Sequence, residues 1–301
     1  MNKGLKNAKR EFFYWRMALR QGLLTDYLKG RYSTAPALLR SRRNLEKPAN
    51  TAALSMHVLC GKSDLTMMVW AIASLYHAFQ TVGSLHLHND GTLGTEEKKL
   101  VKRYFPSVSI LDPQDALKFS GKIAPFPLIR KLRADKRFSV FRKLIDPYLV
   151  SDSQMRLVVD SDVFWFRRPD ELEADIAQGC PTSFMMANNG TIPVYYKDGS
   201  RISDEMARCN SGIVLYRRDN FILPKLEEFL SRLDLDDPRN FFFSEQAGYA
   251  SALMNLRTLP EDTYSIKKGL DEKTVVRHYT RPRRIKFYTE ALPALSPFFL
   301  K

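Results

Sequence analysis

Two carboxylates two residues apart, Asp160 and Asp162, follow an apolar run, Leu157-Val158-Val159, and precede another, Val163 to Phe166. A strand puts residues i and i+2 on one face, so both acids share a face at the strand's carboxyl end. Carboxylates this close repel unless a cation lies between them, and hard divalent cations prefer oxygen ligands. Open parallel sheets bind ligands beyond the carboxyl ends of their strands. A cation held there bridges the diphosphate of a nucleotide and stabilises charge on a leaving group. The plain alternative is a turn or capping pair, but such a pair more often sits among polar residues.

The pair needs a sheet to deliver it, and the preceding sequence supplies one. Ala53 to Cys60 reads as a buried strand ending at Gly61. Asp64 stands where an N-cap would be. Leu65, Met68, Val69, Ile72, Leu75, Tyr76 and Phe79 then form a helical stripe. A second strand, Ser84 to His88, ends at the turn Asn89-Asp90-Gly91. Thr95 opens another helix, and Ser107 to Leu111 is a third strand. This alternation implies a mostly parallel sheet flanked by helices. Residues 126–146 read as a basic helix. Beyond the acids, Ser183 to Ala187, Gly212 to Tyr216 and Thr274 to His278 read as strands. Phe221 to Leu233 and Ser244 to Leu256 read as helices. His57, His86 and His88 read as packed structural residues. No phosphate-cradling glycine loop and no Ser-His-Asp elbow is present.

Of 301 residues, 44% are hydrophobic and 27% charged, which excludes collagen-like, disulfide-scaffold and wholly disordered chains. No apolar run approaches the roughly 18 residues of a membrane span, and no secretory signal is evident. Three cysteines, Cys60, Cys180 and Cys209, suit a reducing compartment, so a cytoplasmic location is expected. Net charge is +14, and residues 1–48 hold twelve basic and three acidic residues. Such an excess favours anionic partners. Leu5, Ala8, Phe12, Trp15, Leu19 and Leu23 recur at helical spacing, with Lys6, Lys9, Arg10, Arg16 and Arg20 on other faces. Such a helix either lies on an anionic membrane surface, as a peripheral protein on the cytoplasmic face, or docks on its own domain. Residues 29–50, with Gly30, Pro36 and Pro48, read as a linker. The division expected is a basic helical extension and linker over 1–50 and one α/β domain over 51–301.

Across residues 53–288 the order of elements resembles the nucleotide-sugar glycosyltransferases of the GT-A fold. The likeness is strongest to the retaining group that includes glycogenin and bacterial lipopolysaccharide galactosyltransferases. It rests on the Rossmann-type β-α-β half, a basic helix with Arg137, Arg142 and Lys143, and the Asp160-Ser161-Asp162 strand end. It continues through Asn210-Ser211-Gly212 before a strand, Glu245-Gln246, Leu259-Pro260 with Tyr264, and a strand ending at His278. The resemblance implies Asp160, Asp162 and His278 as ligands of Mn²⁺ or Mg²⁺. It implies Asn210 and Gln246 beside the donor sugar, and Cys60 and Gly61 at the base and ribose. It also implies Lys143 and Gly212 near the diphosphate or sugar. The family usually follows its late histidine with Phe-x-Gly and Lys-Pro-Trp. Here the run is Tyr279-Thr280-Arg281-Pro282-Arg283-Arg284, so Arg281 or Arg284 is the expected phosphate-binding cation.

The implied activity is hexosyl transfer from a nucleoside diphosphate sugar, UDP favoured, to a glycan or lipid-linked acceptor. Retention needs no strong enzymatic nucleophile; inversion needs a carboxylate base, for which Glu245 is the candidate. One rival is a nucleotidyltransferase that makes sugar nucleotides. It usually carries a glycine-rich basic loop after its first strand, where this chain has Gly61-Lys62-Ser63-Asp64. The other is a basic nucleic-acid binder, which would leave the acids idle.

Overall fold

The computed structural model describes residues 3–41, 45, 50–188, 190–281 and 283–300, with the backbone alone at 3–10 and 50. Pro48, Pro282 and the side chains of Leu5, Lys6, Ala8, Lys9 and Arg10 lie outside the described residues. Ten strands are described: β1 (Asn50–Cys60), β2 (Val82–Asn89), β3 (Ser109–Leu111), β4 (Met155–Asp160), β5 (Val163–Trp165), β6 (Ser183–Ala187), β7 (Cys209–Arg217), β8 (Leu256–Leu259), β9 (Tyr264–Ser265) and β10 (Val276–His278). Seven of them form one sheet in the order β3-β2-β1-β4-β7-β6-β8. The first four are parallel, β7 is antiparallel to β4 and β6, and β8 is parallel to β6. Helices cover both faces, and two apolar clusters form the core. No helix among the described residues is long and apolar enough to cross a membrane.

Register brings the chemistry-bearing residues to one edge. Leu59 of β1 pairs with Asp160 of β4, and Cys60 pairs with Asn89 of β2. Val159 pairs with Ile213, so the start of antiparallel β7, Asn210-Ser211-Gly212, flanks the end of β4. The small sheet β5-β10-β9 closes the loop: His278 pairs with Val163, and the Tyr279 N–H donates to the Asp162 carbonyl at 2.8 Å.

Several sequence expectations are corrected. The expected helix over 126–146 is two helices, Pro127–Ala134 and Phe141–Val150. They break at Asp135, whose carboxylate accepts the Arg137 N–H at 2.9 Å and caps a single 3₁₀ turn instead. The helix expected to reach Leu256 spans Asn240–Ala252, and Leu256 opens β8. Among the described residues Asp64 makes no capping bond; Arg284 takes its carboxylate at 2.7 Å. Gly30 to Arg40, expected as linker, is helical. Ala35 and Leu38 are buried, and Trp70 donates its indole N–H to the Ala35 carbonyl at 3.0 Å. A Cβ at Gly30 would lie 2.3 Å from the Tyr288 carbonyl oxygen, so this close approach requires glycine.

Buried His57 and His88 cluster with half-buried His86 on β1 and β2. The His57 and His86 rings stack at 4.8 Å, and His57 Nδ1 lies 3.0 Å from His88 Nε2. Burial, then the neighbouring cations and rings, lowers all three: His57 well below its ordinary value, His86 to about 4 and His88 to about 3. Their folded forms are neutral, while the unfolded chain takes up protons below about pH 6.5. Stability is therefore intact above that pH and is lost as pH falls toward the folded values. Glu245, raised by burial to about 7, works the other way and offsets part of the loss. Between pH 7.5 and 5.5 the net loss should be about 2 kcal/mol. Urea unfolding at the two pH values reads it, and an unchanged midpoint would mean that the cluster accepts protons while folded.

Candidate active site

Asp160, the last residue of β4, and Asp162, in the turn to β5, meet His278 at the end of β10. One ligand atom from each lies within 4.8 Å of the others. His278 Nε2 is 3.1 Å from Asp162 Oδ1 and 3.6 Å from Asp160 Oδ2. On the other side of the ring, Nδ1 lies 3.1 Å from Asn210 Oδ1. The same Oδ1 accepts the Gly212 N–H at 2.9 Å, and the Asn210 amide nitrogen donates to Gln246 Oε1 at 3.1 Å. This network fixes Oδ1 as the acceptor, so Nδ1 carries the proton. Nε2 is then the ring nitrogen turned toward the two carboxylates. Two acids and an oriented imidazole form a donor set that suits Mn²⁺ or Mg²⁺, with Asn210 as the supporting partner.

Gly212 makes this arrangement possible. A Cβ there would lie 2.4 Å from His278 Nδ1 and 2.9 Å from Asn210 Oδ1. Gly212→Ala should push the ring aside and weaken Mn²⁺ binding at least about tenfold, with the fold retained. Calorimetric titration of Mn²⁺ checks this; unchanged affinity would show that His278 is no ligand.

Lys143, on helix Phe141–Val150, is buried beneath the acids. Its Nζ lies 2.7 Å from Asp160 Oδ1 and 3.4 Å from Glu245 Oε1, and donates to the Ser211 carbonyl at 2.7 Å and hydroxyl at 3.0 Å. Burial disfavours its charge, but Asp160 and Glu245 more than compensate and raise its pKa. Glu245 accepts from the Ser211 hydroxyl at 2.9 Å. Gln246 uses Oε1 for Asn210 and the Ser211 N–H, while its buried Nε2 has no bonding partner among the described residues.

Arg284 donates from Nε and Nη2 to Asp162 Oδ2, at 3.1 and 2.8 Å, and from Nη1 to Asp64. Burial opposes the Asp162 charge, but His278 and Arg284 outweigh it and hold this carboxyl well below the usual range. Of the two arginines expected to bind phosphate, Arg284 is at the acids; Arg281 is exposed, and no contact joins it to them among the described residues. The Cys60 thiol is buried and donates to the Gly61 carbonyl at 3.3 Å, so what it offers a pocket is backbone. Gly61 lies against the Asp90 carboxylate, 2.0 Å from where a Cβ would stand. Arg137 pairs with Asp135 at the surface, apart from this network. Sequence reasoning missed Asp64 and Ser211. Ser211 lies inside the Asn-x-Gly run, where a side chain between two named residues is itself a signal.

No protein-family model matches the sequence, and no curated protein matches it. Solved structures do. Mouse xyloside xylosyltransferase 1, in its apo form, superposes with a TM-score of 0.50 at 13% identity, over 76% of this chain and 97% of that one. The apo bifunctional glycosyltransferase WbbM gives 0.50 at 14% identity, over 78% of this chain and 47% of that one, so this chain matches about half its length. These likenesses show the fold: the mixed α/β architecture expected from the sequence, GT-A, is the architecture observed.

Proposed function

We propose that this chain, built on the GT-A fold, is a metal-dependent glycosyltransferase. It moves a hexose from a nucleoside diphosphate sugar, UDP favoured, to a glycan or lipid-linked acceptor with retained configuration. The observation that carries this reading is the convergence of Asp160, Asp162 and His278 at the carboxyl edge of the sheet, with Asn210 turning Nε2 toward both acids. In this reading those three residues hold Mn²⁺ or Mg²⁺. When bound, the cation neutralises charge on the departing diphosphate.

The remaining residues orient and stabilise. Asn210 holds the His278 tautomer. Ser211 and Glu245 hold the Lys143 ammonium beside Asp160, where it adds positive charge next to the leaving group. Arg284 faces Asp162 with a fork suited to phosphate oxygens. Gln246 Nε2 is a donor for a sugar oxygen near the anomeric carbon. Retention is the reading adopted: Glu245 Oε2 accepts from the Ser211 hydroxyl, and Oε1, which makes no hydrogen bond among the described residues, lies 3.4 Å from the Lys143 ammonium; inversion would need this acid as its base.

A hydrolysis screen over nucleotide sugars with Mn²⁺ tests the reading without knowledge of the acceptor. Slow Mn²⁺-dependent release of nucleoside diphosphate from one donor is expected. No release from any donor, with sugar nucleotide formed from a sugar phosphate and a nucleoside triphosphate, would favour the nucleotidyltransferase.

A further inference from the structure

The helix Lys3–Arg20 docks through an unexpected face. Periodicity marks Phe12, Trp15 and Leu19 as its apolar stripe, yet these are 67%, 44% and 65% exposed. The docked face is Glu11, Tyr14, Met17 and Ala18. Ala18 is fully buried, Tyr14 and Met17 lean on the core, and Glu11 pairs with Arg31 and accepts from the Tyr27 hydroxyl at 3.2 Å. Arg31 in turn lies 5.2 Å over the Tyr288 ring. The helix is thus fixed to the domain, and its most apolar face is left outward.

Between residues 12 and 20 the exposed positions are Phe12, Phe13, Trp15, Arg16, Leu19 and Arg20: four large apolar side chains and two arginines. The helix's single acid, Glu11, is turned inward. Residues 1–31 hold eight basic and two acidic residues. We infer that this face binds an anionic lipid surface, its aromatic and aliphatic side chains entering the headgroup boundary while the arginines meet lipid phosphates. A second copy of the same face is disfavoured, because a two-fold pairing would set these arginines against like charges.

The full chain is sedimented with vesicles of phosphatidylglycerol and phosphatidylcholine, and with pure phosphatidylcholine, at low and high salt. Binding to the anionic vesicles that weakens with salt is expected. Phe12→Ser/Trp15→Ser/Leu19→Ser should cut partitioning at least about tenfold and leave the melting temperature unchanged. Trp70 and Trp165 are buried, so a blue shift of tryptophan emission on anionic vesicles should come from Trp15 and vanish in Trp15→Phe. No binding at low salt, equal binding to neutral vesicles, or full binding by the triple variant would overturn the inference. So would a wild-type dimer that the triple variant abolishes.

Discussion

Asp162→Asn should lower donor hydrolysis and sugar transfer by at least about a thousandfold, roughly 4 kcal/mol of barrier, while the protein still folds. The sequence alone suggests that removing one of two neighbouring acids relieves repulsion, so that stability falls little or rises. The structure reverses that sign. Asp162 faces His278 at 3.1 Å and two nitrogens of Arg284, and its carboxyl is held well below the usual range. Its folded charge is therefore stabilising at neutral pH, and this contribution is lost progressively as pH falls below about 4, the value in the unfolded chain, toward the lower folded one. The asparagine should cost about 2 kcal/mol, less than a fully severed buried pair, because Arg284 keeps Asp64 at 2.7 Å. Rates and urea midpoints on one preparation separate the two effects. A folded variant with wild-type hydrolysis would show that the acid is structural.

Lys143→Met should be the most destabilising single change in the site. It removes the cation shared by Asp160 and Glu245 and the donor to both Ser211 oxygens. Stranding a buried carboxylate costs about 3–5 kcal/mol, or on the order of 10 °C in melting temperature. Activity should fall with it. The double variant Lys143→Met/Glu245→Gln tests the cause, since the second change removes the stranded charge. It should recover part of the lost stability, so the two costs should not add. Additive losses would show that Lys143 is held by packing and not by its acids.

The sequence made legible what is local and periodic. The strand before Asp160 is a run of apolar residues, β6 spans the Ser183 to Ala187 read as a strand, and the helix Leu65–Ala78 follows its stripe. Placement of His278 beside the acids came from the order of motifs, because no spacing rule links residues 116 apart. The Asp64–Arg284–Asp162 bridge was hidden for the same reason. Its members lie on three separate elements, and Asp64 offered a local capping role that the structure does not use. The helix reading ran on to Leu256, the first residue of β8, because Leu253 and Leu256 keep helical spacing past the point where the chain turns. The N-terminal helix carries the clearest lesson. Periodicity shows that a helix has an apolar face, but not which face its own core receives.

The central claim is that Asp160, Asp162 and His278 hold a divalent cation that carries the nucleotide. Calorimetric titration of UDP into the full chain, with Mn²⁺ and with excess chelator, tests it most directly. The account predicts measurable binding with Mn²⁺, a fall of at least about a hundredfold in chelator, and the same fall for His278→Ala with Mn²⁺ present. Equal affinity in Mn²⁺ and in chelator would contradict it.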